Sequence, residues 1–146
     1  MTNPTTLGPT ILRFSLGAVF LAHAYAKPAI FTFSGTEAYF ASQGFPAWTA
    51  YPVFALELLG GLALLLGVRV RWAALALIPV MLGARGAHLT AGWMFSKAGG
   101  GWEYPAFLIA ALAAQAALGA GALSLDSVLD RLTQTKGEPR VQPYLA

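Results

Sequence analysis

The chain has 146 residues, 57% hydrophobic and 10% charged, with a net charge of +3 and a mean hydropathy of +0.62. A soluble domain carries about a quarter charged residues, so this composition excludes a water-facing globular surface. The lack of cysteine excludes a disulfide framework, a thiolate metal site and dithiol redox chemistry, and no basic run interleaved with aromatics points to nucleic acid.

The length fits one domain. Its pattern predicts an all-α integral membrane four-helix bundle over residues 1–123, with spans at Leu7–Ala26, Trp48–Leu66, Trp72–Ala91 and Tyr104–Leu123. Each is close to the ~20 residues that cross a ~30 Å hydrocarbon core at ~1.5 Å per residue. Met1 to Thr6 lacks a positive n-region and the first apolar stretch is long enough to span, so it reads as a retained helix. Pro52 and Pro79 interrupt the second and third spans, which neighbouring helices can accommodate in a membrane. Small residues at spacing four (Ala18, Ala22 and Ala26, then Ala110 and Ala114) allow close helix approach.

The connections differ in character. The first, about Lys27 to Ala47, is rich in Phe and Tyr, and the third, about Gly92 to Glu103, carries Trp93, Phe95 and Trp102. Trp48, Tyr51, Trp93, Trp102 and Tyr104 suit an aromatic belt at one interface, with Trp72 at the other. The second connection, Gly67 to Arg71, is short and basic. Beyond the last span, residues 124–133 read as a short amphipathic helix capped by Ser124, with Asp126 in its first turn and Leu125, Val128, Leu129 and Leu132 on one face. Residues 134–146 form a polar tail.

Basic residues set the orientation. Arg13, Arg69, Arg71, Arg131, Lys136 and Arg140 fall on one side and only Lys27 and Lys97 on the other. The positive-inside bias then puts both termini in the cytoplasm of a bacterial inner (cytoplasmic) membrane, with the aromatic connections outward.

The residues inside or at the edge of the spans carry the chemistry. A charge at the bilayer centre costs a few kcal/mol at least, so such residues pair, face the bundle interior and mark function. Arg13 reads as an inner-interface residue whose long stem snorkels to water. His23 and His88 fall at matching depth, roughly 24 Å along their helices from the inner end. Arg85 shares a face with His88, and Glu57 lies roughly 13 Å in from the outer side. Lys27 and Glu103 stand at the outer ends of their helices, as parts of the cluster or as ordinary interfacial charges. Glu57 and Glu103 balance Lys27 and Arg85, so an outer-leaflet polar cluster of near-zero charge is expected, with Glu57 and Arg85 as its core pair. The alternative for that pair is a purely structural one that fixes helix register. Two histidines are the minimum for bis-imidazole haem and nothing further supports it, so haem is not expected. Nor is a metal, since too few ligands lie near to complete a shell. Hydrogen bonding and proton relay to a quinone or similar lipid-soluble carrier suit these side chains better. His23, Lys27, Glu57, Arg85, His88 and Glu103 are the expected binding residues, and no catalytic residue is singled out.

Several elements in order resemble the DoxX family of small bacterial four-helix membrane proteins. They are Arg13 with Gly17, Phe20 and Lys27; the Gly44–Phe45–Pro46 turn; Glu57 through Gly67 followed by basic residues; and Gly119 to Asp126. The resemblance implies the bundle and, from some relatives, an association with quinone-linked oxidation, including a subunit of a thiosulfate:quinone oxidoreductase. If the chain is catalytic, it would be such a quinone-linked oxidoreductase subunit. The alternatives are a non-catalytic accessory subunit of a larger membrane complex, or a homo-oligomer, using the aromatic connections and small-residue faces, and a small transporter using the same cluster.

Overall fold

The structure, a computed structural model, describes residues 4–128. Among them there is no strand. Five α-helices follow one another: α1 Pro4–Ala29, α2 Phe33–Ser42, α3 Ala50–Leu66, α4 Val70–His88 and α5 Glu103–Leu118. Short 3-10 turns, Ala47–Thr49 and Leu89–Ala91, extend α3 and α4. The segments 6–29, 47–66 and 70–91 are each long and apolar enough to cross a membrane. The four long helices run up and down as a bundle, burying Phe20, Leu64, Leu77 and Leu112 completely. Leucines and aromatics such as Leu59, Trp72 and Phe107 cover its outside. Lipid rather than water is the solvent such a surface suits.

Two elements depart from the sequence expectation. The first connection is not a plain loop. It contains α2, whose start is capped by the Thr32 hydroxyl accepting from the Gly35 N–H at 3.2 Å. The fourth span, expected to reach Leu123, stops at Leu118 because Gly119 turns the backbone to φ +83°. Its 16 residues cover roughly 24 Å at ~1.5 Å per residue, short of a full hydrocarbon core.

The chain from 119 to 124 continues without helix, and irregular backbone at membrane depth survives only when protein groups satisfy it. Thr10 and Arg13 do this from α1. The Thr10 hydroxyl accepts from the Ala122 N–H at 2.7 Å. Arg13 is fully buried and does not snorkel. Its guanidinium donates to the carbonyls of Leu64 (2.8 Å) and Leu65 (2.9 Å) at the end of α3, and of Ala122 (3.2 Å) and Leu123 (3.1 Å) beyond α5. Five donors in a planar fork can reach two chain segments at once. The negative end of the α3 dipole stands in for the missing carboxylate.

Gly67 is required beside it on two counts. Its φ of +72° closes α3 in a left-handed cap, with Val68 N–H donating to Ala63 O at 2.9 Å. A Cβ there would also lie 2.6 Å from the Arg13 guanidinium and from Ser124. The expected Ser124 cap is present, accepting from the Ser127 N–H at 3.2 Å ahead of a helical turn at 125–128. The Asp126 carboxylate accepts from the Arg69 N–H at 2.6 Å and ties this turn to the α3–α4 connection. Leu129, Leu132 and the expected polar tail lie outside the described residues.

Glycines also close the helix seams. A Cβ on Gly17 of α1 would sit 2.8 Å from the Leu65 side chain and 3.1 Å from the Gly61 carbonyl. One on Gly61 of α3 would sit 3.0 Å from Leu21 and 3.2 Å from the Gly17 carbonyl. The two backbones are therefore packed nearly in contact, as small residues permit in membrane bundles. Gly61→Val is expected to cost about 1–3 kcal/mol by overpacking, read as a lowered thermal unfolding midpoint in detergent. An unchanged midpoint would mean the seam is looser than described.

Candidate functional site

At the end of the bundle opposite Arg13, the helices separate around a cavity of about 530 Å³. Its wall comes from α1 (His23, Lys27), α3 (Val53, Glu57), α4 (Met81, His88) and the first turn of α5 (Tyr104, Pro105). α2 covers it with Tyr39 and Phe40, and Phe45 and Thr49 follow from the next turn. A second cavity of about 420 Å³, lined by Lys27, Phe31, Thr36 and Phe40 among others, adjoins it beneath α2.

The polar core of this cavity is an ion pair, but not the expected one. The Lys27 ammonium donates to the Glu57 carboxylate. Both side chains are nearly withdrawn from the surface, at 12% and 4% exposure. The expected Glu57–Arg85 pair is not formed. Arg85 instead lies over the Trp102 ring, 4.9 Å from its centroid. The physical reason is register. Lys27 and Glu57 face each other across the tight α1–α3 seam, whereas Arg85 leaves α4 toward the 92–103 connection. A neutral, hydrogen-bonded pair is the form in which two charges can be held inside a bilayer.

His23 stands one turn before Lys27 and lines the main cavity, the cavity under α2 and a groove toward α5. Its ring meets Tyr104 edge to face, centroids 6.2 Å apart. Among the described residues the His23 ring makes no hydrogen bond, which leaves its nitrogens to a ligand. His88 Nδ1 is 2.9 Å from the Gly99 carbonyl. A carbonyl only accepts, so that nitrogen carries the proton and Nε2 is the atom left to accept from a ligand while the ring is neutral. His23 and His88 thus border one cavity, from opposite sides.

Glu103 is placed differently. Its carboxylate accepts from the Phe95 N–H at 2.8 Å and orders the 92–103 connection, where Trp93 and Trp102 pack edge to face at 4.5 Å. It borders the groove rather than the main cavity. Of the six expected residues, four (His23, Lys27, Glu57 and His88) therefore meet in one space. Arg85 and Glu103 brace its rim through Trp102 and Phe95. Among the described residues, no three His, Asp or Glu side chains gather closely enough for a metal ion.

Tyr104, Gln43 and Thr49 also line the cavities and were not singled out from the sequence. Tyr104 could have been read as more than an interface aromatic, since it opens the helix that faces His23. Gln43 and Thr49 depend on α2 folding back over the bundle, which no local pattern announces.

The chain matches the DoxX family over residues 8–93. That stretch holds most of α1 and all of α2 to α4, and therefore His23, Lys27, Glu57 and His88, and it ends before Tyr104. Over 84 residues the chain is 30% identical to "Putative oxidoreductase CatD" of Bacillus subtilis (strain 168), a match covering 58% of this chain and 61% of that protein. The chain thus spans about three fifths of that relative's length. No solved structure gives a significant match.

Proposed function

The chain belongs to the DoxX family of membrane proteins, and on that premise we propose that it binds a quinone or similar lipid-soluble redox carrier in the Lys27–Glu57 cavity. The observation that carries this reading is the buried ion pair in the wall of a mostly apolar cavity, within a bundle whose outside suits lipid. A quinone ring is flat and apolar with two carbonyls at opposite ends. The Lys27 ammonium and the His23 ring can donate to one carbonyl, and Tyr104 offers a further hydroxyl. Reduction of the ring takes up two protons, and Glu57 with the histidines can pass them. The two electrons come from a reduced donor protein that docks on the bundle, and redox chemistry in the family is suggested by the relative's name, "Putative oxidoreductase CatD". The basic α3–α4 connection, with Arg69 and Arg71, supports placing the Arg13 end at the cytoplasmic face of a bacterial inner membrane. The cavity then opens in the outer leaflet.

A tail-less dimethoxy-methyl-benzoquinone is expected to quench the tryptophan emission of the purified protein saturably. His23→Ala should weaken that binding about tenfold, the worth of one good hydrogen bond in an apolar site. Quenching that stays linear in quinone for the wild-type protein would overturn the reading.

A further inference from the structure

We propose that the lipid tail of the bound carrier leaves the cavity sideways, between α1 and α5, along a groove that runs from His23 past Tyr104 to Phe107. The proposal rests on the quinone reading above and adds the route and the recognised chemistry, an alkyl or isoprenoid chain attached to the ring. A cavity of about 530 Å³ is of the size that holds one drug-sized ligand. It has no room for a long prenyl chain as well, so the chain must exit.

Of the four seams between the long helices, α1–α5 is the most loosely packed. The α1–α3 seam is closed by Gly17 and Gly61, and the α3–α4 seam by Gly60, where a Cβ would lie 3.0 Å from Leu77. At the far end Thr10 and Arg13 staple α1 to residues 122–123 beyond α5. The α1–α5 seam is therefore held at the Arg13 end and freer at the Lys27 end. There a groove of about 970 Å³ is lined by Trp93, Phe95, Tyr104, Ala106 and Phe107, with His23 at its inner edge. His23, Phe95 and Tyr104 border both spaces, so groove and cavity adjoin there. Phe107 is 67% exposed and lies one turn into α5, so the groove opens on the lipid-facing side of the helix. An aromatic trough suits an apolar chain. The edge-to-face pair His23–Tyr104 stands where ring would pass into tail.

The test uses the full chain in lipid nanodiscs and the decyl derivative of the same benzoquinone, with a diazirine at the end of the decyl chain. Irradiation and peptide mass spectrometry should place the label on residues 93–107, competed away by unlabelled decyl-benzoquinone. Ala106→Trp, which fills the groove away from the ion pair, should weaken decyl-benzoquinone binding about tenfold by overpacking and change that of the tail-less ring less than about twofold. Labelling of α2 residues 33–42, beside the second cavity, would overturn the tail route while leaving the cavity reading intact. Equal binding of both quinones to a folded Ala106→Trp protein would overturn it too. Should that variant not fold, the wild-type labelling pattern decides alone. If the tail-less quinone does not bind wild-type protein at all, the cavity reading fails and the route falls with it.

Discussion

Arg13→Leu is expected to cut recovery of folded protein from detergent extracts steeply and to lower its melting temperature most, with Arg13→Lys in between. The guanidinium is fully buried and makes four hydrogen bonds to carbonyls on two separate segments. Leucine leaves the Leu65 and Leu123 carbonyls without these donors, each at a cost of about 1–3 kcal/mol, while the Leu64 carbonyl keeps the Gly67 N–H and the Ala122 carbonyl the Thr10 hydroxyl. Even with water entering to relieve some of them, a net loss on the order of 4 kcal/mol is expected, a large part of the ~5–15 kcal/mol that holds a protein folded. Lysine keeps the charge but presents it at one nitrogen, which cannot span the end of α3 and residues 122–123 together. Thermal unfolding in detergent reads the order wild type, Lys, Leu. A Leu variant melting within about 2 °C of wild type would mean that Arg13 holds nothing together, since such a shift is well under 1 kcal/mol for a chain of this size.

The second large effect concerns Lys27 and Glu57. Lys27→Met alone, or Glu57→Leu alone, strands an unpaired charge inside the bundle, and breaking a buried pair in this way costs about 3–5 kcal/mol. The double variant removes both charges and leaves apolar side chains of similar reach. It is expected to regain most of the lost stability, because a buried pair adds little over well-packed hydrophobic residues. The coupling between the two positions should therefore be large and favourable in a double-mutant cycle. Simple addition of the two single losses would contradict the pairing and would point back to Arg85 as the partner of Glu57.

How far the sequence carried this picture depends on which physics each feature uses. The four long apolar helices are legible because hydropathy and length speak locally, residue by residue. The gathering of His23, Lys27, Glu57 and His88 was legible from depth alone, since four antiparallel helices of similar length bring equal depths together. Partner choice was not. Whether Glu57 meets Lys27 or Arg85 depends on helix rotation about its axis, and that is set by Gly17 against Gly61, a contact 44 residues apart in the chain. Arg13 was misread for a related reason. Near a membrane edge a long cationic side chain snorkels by default, and only the unwound stretch 119–124, with carbonyls to satisfy, turns it inward. α2 was hidden because its ten residues mix Phe and Tyr with Ser, Gly and Thr. It folds by laying its aromatic side chains over the cavity rather than by its own periodicity.

The Lys27→Met/Glu57→Leu double variant also gives the most direct test of the proposed site, because it separates stability from binding. Tail-less dimethoxy-methyl-benzoquinone would be titrated into wild-type and double-variant protein, both shown to be folded, and the tryptophan quenching followed to saturation. The proposed site predicts that the double variant binds about a hundredfold more weakly, the loss of charge-assisted hydrogen bonds to the quinone carbonyl. Wild-type affinity in the folded double variant would show that the Lys27–Glu57 pair is not where the quinone binds.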